Sequence, residues 1–173
     1  MPYKPRTKSR GLQVLHALDK RKKLTNKEKQ HYFNLNKGYE GEALFDHFTA
    51  KLKCECFILN DLLLETNNTS FQIDCLIITG DKFYIYEVKN YEGDYHYQSD
   101  KLFKKPRLEI INPLHQLSRS ESLLRQLLLT LGFIPQIDAS VVFINPSFTL
   151  YQAPLDKPFS FSNPSKSIHE KFK

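Results

Sequence analysis

Two acidic residues in this chain sit where acids are costly. Asp74 lies between Ile73 and Cys75, inside the apolar run from Phe71 to Ile78, and Glu87 follows Phe83-Tyr84-Ile85-Tyr86, two residues before Lys89. In an extended strand successive side chains alternate faces. Phe83, Ile85, Glu87 and Lys89 therefore share one face, and Tyr84, Tyr86, Val88 and Asn90 the other. Glu87 and Lys89 are ~7 Å apart along such a strand. A hairpin between the two runs brings Asp74 within cross-strand reach of Glu87. Carboxylates so close repel one another unless a cation holds them or one is protonated. Oxygen ligation with room for waters suits Mg²⁺ or Mn²⁺. A lysine beside such an ion can orient or help deprotonate an attacking water, while the ion lowers that water's pKa and neutralises phosphate charge. Glu-x-Lys alone is a weak signal, expected by chance about once in one or two chains of this length. A cross-strand ion network on a solvated face is the plain alternative. The apolar neighbours of Asp74 weigh against it, since a merely structural carboxylate there is unfavourable.

The elements that must hold these residues follow from periodicity and punctuation. Residues 10–24 carry Leu12, Leu15 and Leu18 towards one side of a short helix. Thr25-Asn26-Lys27-Glu28 is a capping box, predicting a second helix to about Asn36 that Gly38 breaks. Leu44, Phe45, Phe48 and Leu52 are again helical. Three strands follow: Cys56 to Leu64, interrupted by Asn60-Asp61; Phe71 to Thr79, after a turn at Asn67-Asn68; and Phe83 to Lys89, after a tight turn at Gly80-Asp81. Tyr, His and Phe recur over residues 91–112, predicting a protruding hairpin. Asn112-Pro113 caps a helix through Leu117, Leu124, Leu128 and Leu131 that stops at Gly132. Ala139 to Ile144 reads as a strand buried on both faces. The fold class is α/β (α+β): helix, three antiparallel strands, crossover helix, strand. The third and fourth strands pair in parallel through a right-handed crossover.

At 173 residues and 20.3 kDa, the chain suits one domain with appendages, and its 13 Phe and nine Tyr supply a sizeable core. No apolar run approaches the ~20 residues of a bilayer span, and the basic N-terminus has no signal-peptide pattern. Cys54, Cys56 and Cys75 form no CxxC and read as reduced thiols of a cytoplasmic protein. A membrane protein, a disulfide scaffold and a zinc finger are excluded. The formal charge of +6 is unevenly placed: residues 1–29 hold ten Lys and Arg against two acids, and residues 30–173 hold 15 against 17. The basic arm, with Lys8 and Arg10, suits phosphate contact, and equally an ordinary solvated tail. Lys101, Lys104, Lys105 and Arg107 lie near Tyr95, Tyr97 and Phe103. That mixture suits nucleic-acid backbone contact with base stacking, or a plain surface hairpin.

Four segments together carry a resemblance: Gly38-Tyr39-Glu40-Gly41-Glu42, Phe71-Gln72-Ile73-Asp74, Glu87-Val88-Lys89-Asn90 and Asn112-Pro113-Leu114-His115-Gln116. In this order, over about residues 36–145, they resemble the successive motifs of the NERD (nuclease-related) domain of the PD-(D/E)xK nuclease superfamily. The resemblance implies a restriction-endonuclease-like core. It further implies Asp74 and Glu87 as metal-binding carboxylates, Lys89 as the catalytic lysine, Glu42 as an additional acid and Gln116 as a residue lining the site. The expected organisation is a basic helical arm over residues 1–36, the nuclease-like domain over 37–150 and a polar tail over 151–173. Family members often carry further sequence after this domain, which the polar end at Lys173 fits. The expected function is hydrolysis of phosphodiester bonds in nucleic acid, with DNA as substrate and Mg²⁺ or Mn²⁺ as cofactor. A catalytically silent binding or interaction module on the same fold is the alternative.

Other candidates carry less. Without its motif, Glu42 is a solvated helix acid. His96 and His115 have no patterned partner for base catalysis, and Cys75 falls on the strand face opposite Asp74 as a small core residue. Gly38-x-x-Gly41 lacks the ending of a phosphate loop.

Overall fold

Asn67 and Asn68, at φ 48° and 56°, turn the chain between its first two strands, a left-handed pair that asparagine tolerates. The computed structural model describes residues 1–80 and 82–161, so Asp81 of the next turn lies outside the described residues. In chain order, α1 (Arg10–Asp19) and α2 (Asn26–Thr49) precede β1 (Phe57–Thr66), β2 (Thr69–Thr79) and β3 (Lys82–Lys89). A meander of β4 (Gly93–Gln98), β5 (Lys101–Lys104) and β6 (Leu108–Ile110) leads into α3 (Pro113–Thr130), followed by β7 (Gln136–Phe143), β8 (Phe148–Tyr151) and β9 (Phe159–Ser160).

The first three strands are antiparallel, and β7 joins β3 in parallel from Lys82↔Gln136 to Lys89↔Phe143. Helices cover both faces. Leu117 and Leu124 of α3 pack with Phe71, Ile73, Ile85 and Val141, while Phe45 of α2 packs with Ile58, Cys75, Ile77, Tyr86 and Val88. This is the restriction-endonuclease-like core in its expected order. None of the described helices is long and apolar enough to cross a membrane.

Alternation along the sheet is not uniform. Phe71 and Ile73 face α3 together with Leu76, whereas Cys75 and Ile77 face α2. The phase of β2 therefore changes at Asp74. On β1 it changes at Asp61, which takes φ 53° and separates Ile58, facing α2, from Leu62 and Leu64, facing α3. The pairs Asn60↔Cys75 and Leu62↔Ile73 bracket Asp61 and Asp74. Because both strands switch at one place, the register survives.

Four expectations need correction. Helix α2 runs unbroken through Gly38, from a capping box at Thr25 to Thr49. One glycine costs a helix only about 1 kcal/mol, which packing on the sheet offsets; the arm boundary drawn at residue 36 thus falls inside this helix. Residues 91–112 are not a lone hairpin: β8 adds in parallel to β4, making a second sheet of order β6-β5-β4-β8. The segment after residue 150 is not simply a tail, since β9 pairs with β7 at Val141↔Phe159 and Val142↔Ser160; residues 162–173 lie outside the described residues. The basic arm is not free. Lys4 bridges to Leu59, its amide donating to the Ile58 carbonyl at 3.2 Å and its carbonyl accepting from the Asn60 amide at 2.9 Å.

Candidate functional site

The β2–β3 ladder ends at Cys75↔Tyr86, so one step further on Asp74 faces Glu87. There the Val88 amide donates to Oδ2 of Asp74 at 2.8 Å. The aspartate side chain thereby takes a backbone amide of the strand that carries Glu87. Both acids are buried, Asp74 at 6% and Glu87 at 2% exposure. Lys89 Nζ donates to Glu87 Oε1 at 2.6 Å and to Gln116 Oε1 at 3.2 Å. Gln116 reaches it because Asn112 caps α3, its Oδ1 accepting the Leu114 amide at 3.1 Å, with Pro113 in the first turn. The helix therefore starts beside the end of β3.

Glu42 arrives from the opposite face of the sheet. A Cβ on Gly41 would lie 2.5 Å from Asn90 Cβ, so a residue without a side chain lets α2 lie directly on the end of β3. Asn90 Nδ2 donates to the Lys37 carbonyl at 2.8 Å and its Oδ1 accepts from Asn145 Nδ2 at 2.9 Å. The next helical residue, Glu42, is thus held at the mouth of a cleft of about 600 Å³ lined by Glu42, Asp61, Asp74, Glu87, Lys89 and Gln116 among others.

Burial dominates the electrostatics. It raises the Glu87 carboxyl to about 7, with repulsion from Asp74 adding and Lys89 opposing. Burial likewise raises Glu42 to about 7, with Asp74 adding and Arg6 opposing. Asp74 is raised by its burial, partly offset by the Val88 amide and by Lys89 and Arg6. For Lys89, burial pulls downward but the Glu87 carboxylate outweighs it, so its pKa rises and it stays an ammonium. Glu42, Asp74 and Glu87 thus share a low-dielectric cleft in which their charge is poorly compensated. Among the described residues no three His, Cys, Asp or Glu side chains make a ready cage for an ion. Asp74 and Glu87 could supply two carboxylates to a Mg²⁺ ion, which commonly keeps waters or phosphate oxygens as its other ligands.

Two participants escaped the sequence reading. The side chain of Arg6 is 4% exposed; its Nη1 donates to Glu42 Oε2 at 2.5 Å and its Nε to Asp46 Oδ2 at 2.9 Å. Its Nη2 donates to Asp46 Oδ1 at 3.1 Å and to the Asp74 carbonyl at 2.7 Å. The spacing of Lys4, Arg6, Lys8 and Arg10 by two residues was a strand-like signal hidden under the reading of a charged arm. Asp61 lines the cleft and accepts from Gln72 Nε2 at 2.8 Å; it had passed for a strand interruption.

The structure thus gathers Glu42, Asp74, Glu87, Lys89 and Gln116 into one cleft. The basic candidates are not among the cleft's lining residues. Lys101 pairs with Glu109 at 3.1 Å, Lys104 sits over the Tyr95 ring, and Lys105 lies 3.5 Å from the Tyr151 ring centroid. Arg107 is exposed between β5 and β6. Lys8 lies over the ring of Tyr39, which lines the cleft, and Arg10 opens α1.

A family model described as the nuclease-related domain matches residues 37–144. No curated protein matches the chain. Among solved structures it is similar to Can2 from Sulfobacillus thermosulfidooxidans in complex with cyclic tetra-adenylate, at a TM-score of 0.43 and 14% identity. The match covers 98% of this chain and 46% of that one, so this chain spans about half the length of Can2.

Proposed function

The chain belongs to the nuclease-related domain family, and from that premise we propose that it is a metal-dependent nuclease hydrolysing phosphodiester bonds of nucleic acid, DNA in the first instance. The observation that carries the reading is the buried Asp74–Glu87 pair beside Lys89 in one cleft. Asp74 and Glu87 would hold Mg²⁺ or Mn²⁺. Such an ion supplies a water of lowered pKa and neutralises charge on the phosphate. Lys89, kept protonated, stabilises the negative charge that builds on the phosphoryl oxygens as water attacks phosphorus and the ester oxygen leaves. Gln116 fixes Lys89 through its amide oxygen. Glu42, ionising near neutrality, is placed to accept a proton at the cleft mouth.

The test is incubation with supercoiled plasmid, linear duplex, single-stranded DNA and RNA, in Mg²⁺ or Mn²⁺ and against EDTA. Cleavage that needs the ion and vanishes in Asp74→Asn supports the reading. Absence of cleavage on every polymer with either ion sinks it.

A further inference from the structure

We infer that Arg6 is a positioning residue of this centre, holding Glu42 against Asp74, in the middle of β2, from behind the cleft wall. The inference rests on the function proposed above. It concerns a residue outside the matched domain, which begins at residue 37.

Placement comes first. Glu42 and Asp74 line the cleft; Arg6, its side chain 4% exposed, is not among its lining residues. A guanidinium so covered cannot meet a phosphate, so this arginine of the basic arm is not a nucleic-acid contact. Its bonds run sideways instead. One nitrogen binds Glu42, two bind both oxygens of Asp46, and one of these also reaches the Asp74 carbonyl. The fork thus spans α2 and β2, the two elements that carry the acids. A planar guanidinium offers five donors in fixed directions, and a lysine ammonium cannot reproduce that span.

The segment that delivers Arg6 is anchored on both sides. Before it, the backbone of Lys4 pairs with β1, and Lys4 Nζ donates to the carbonyls of Asn60 and Asp61 at 2.6 Å each. After it, the Ser9 hydroxyl caps α1, whose Leu12 is 2% exposed. An arginine held on both flanks, buried, and bonded to the neighbours of the reacting site fixes geometry without touching substrate.

The experiment uses the full chain and four variants: Arg6→Gln, Arg6→Lys, Glu42→Gln, and Arg6→Gln combined with Glu42→Gln. Steady-state cleavage of the most responsive polymer is measured at saturating Mn²⁺, with circular dichroism confirming the fold. A displacement of the order of 1 Å at a reacting centre costs about 10²-fold in rate. Arg6→Gln should therefore lower kcat by roughly 10- to 100-fold with KM nearly unchanged. Arg6→Lys should recover part of that loss. The double variant should fall little below Glu42→Gln alone, because both changes break one unit. A folded Arg6→Gln with wild-type kcat overturns the inference, and so does a raised KM at unchanged kcat, which would mark a substrate contact. If Arg6→Gln does not fold, Arg6→Lys decides: reduced kcat at constant KM supports the role, and wild-type kcat overturns it. A wild type that cleaves nothing overturns the nuclease reading itself and this inference with it, an outcome distinct from an active wild type beside an equally active variant.

Discussion

The Val88 amide donates to Oδ2 of Asp74 at 2.8 Å, which ties the first acid to the strand carrying the second, Glu87. Asparagine keeps an oxygen for that amide but drops the charge. Asp74→Asn should therefore remain folded, with metal-free stability at pH 8 equal to or above wild type, because repulsion from Glu87 is relieved. The same variant should lose the rise in Tm that Mn²⁺ is expected to give the wild type. Thermal unfolding with Mn²⁺ or EDTA checks both; an undiminished Mn²⁺ shift would show that Asp74 is not a ligand.

Lys89→Ala should behave in the opposite way. A protonated lysine cannot ligate an ion, so the Mn²⁺ shift should persist while turnover drops, by about 10²-fold or more for a group acting on the reacting atoms. Its metal-free form should be less stable at pH 8, because Glu87, 3% exposed in its side chain, loses the ammonium at 2.6 Å. Comparing Tm and rate for this variant and Asp74→Asn in one buffer series separates ligand from catalyst.

Glu42 and Glu87 both move from 4.5 to about 7 on folding. Between those values the native state binds more protons than the unfolded chain, so metal-free stability should fall as pH rises from about 4.5 to about 7 and level off above. Below about 4.5 neither residue contributes a slope. Glu28 has the reverse sign: its carboxyl, lowered to about 2 by the Thr25 cap, loses its contribution as pH falls from 4.5. In Glu87→Gln the slope between 4.5 and 7 should be shallower than in wild type. Mn²⁺ held by these carboxylates would compete with those protons, so its affinity should climb across the same window. Tm against pH in EDTA, with Mn²⁺ titrations at pH 6 and 8, measures both.

The glycines of the first motif should part ways. Nothing lies within 4 Å of a Cβ built on Gly38, whereas one on Gly41 meets Asn90 Cβ at 2.5 Å. Gly38→Ala should stabilise the helix by about 0.5–1 kcal/mol. Gly41→Ala should cost about 1–3 kcal/mol of overpacking, and should cut turnover by lifting Glu42 from the cleft. Denaturant melts of the two variants test this, and a neutral Gly41→Ala would refute the close approach.

What could be read from the sequence was local. Asp74 and Glu87 stood out because a charge inside an apolar run has few reasons to be there. Leu117 and Leu124, with the Asn112 cap, defined α3. The misses came from tertiary contacts. Gly38 looked like a helix end because the packing that offsets its cost belongs to β3. β8 joined β4 from some fifty residues away in the chain, a pairing that periodicity does not encode. The phase change at Asp61 and Asp74 broke the alternation rule on two strands together, and only their pairing reveals it. Arg6 was hidden because ten basic residues in the first 29 resemble solvated charge, and nothing local distinguishes the one that is buried.

That burial gives a last expectation for the arm. Removing residues 1–8 deletes the two backbone bonds of Lys4 at 3.2 and 2.9 Å and every contact of Arg6. Glu42 and Asp46, only 23% and 20% exposed in their side chains, then lose the guanidinium they share. Breaking a buried pair costs about 3–5 kcal/mol, and partial exposure of the two acids puts this case at the low end. The truncated chain should therefore melt several degrees below the full chain, in low salt and in high salt alike. A solvated arm that met only phosphate would leave Tm untouched and change only the salt dependence of DNA affinity. Melting the two chains across a salt series, alongside DNA-binding titrations over the same range, separates the cases; an unchanged Tm would mean that the Arg6 cluster is not formed in solution.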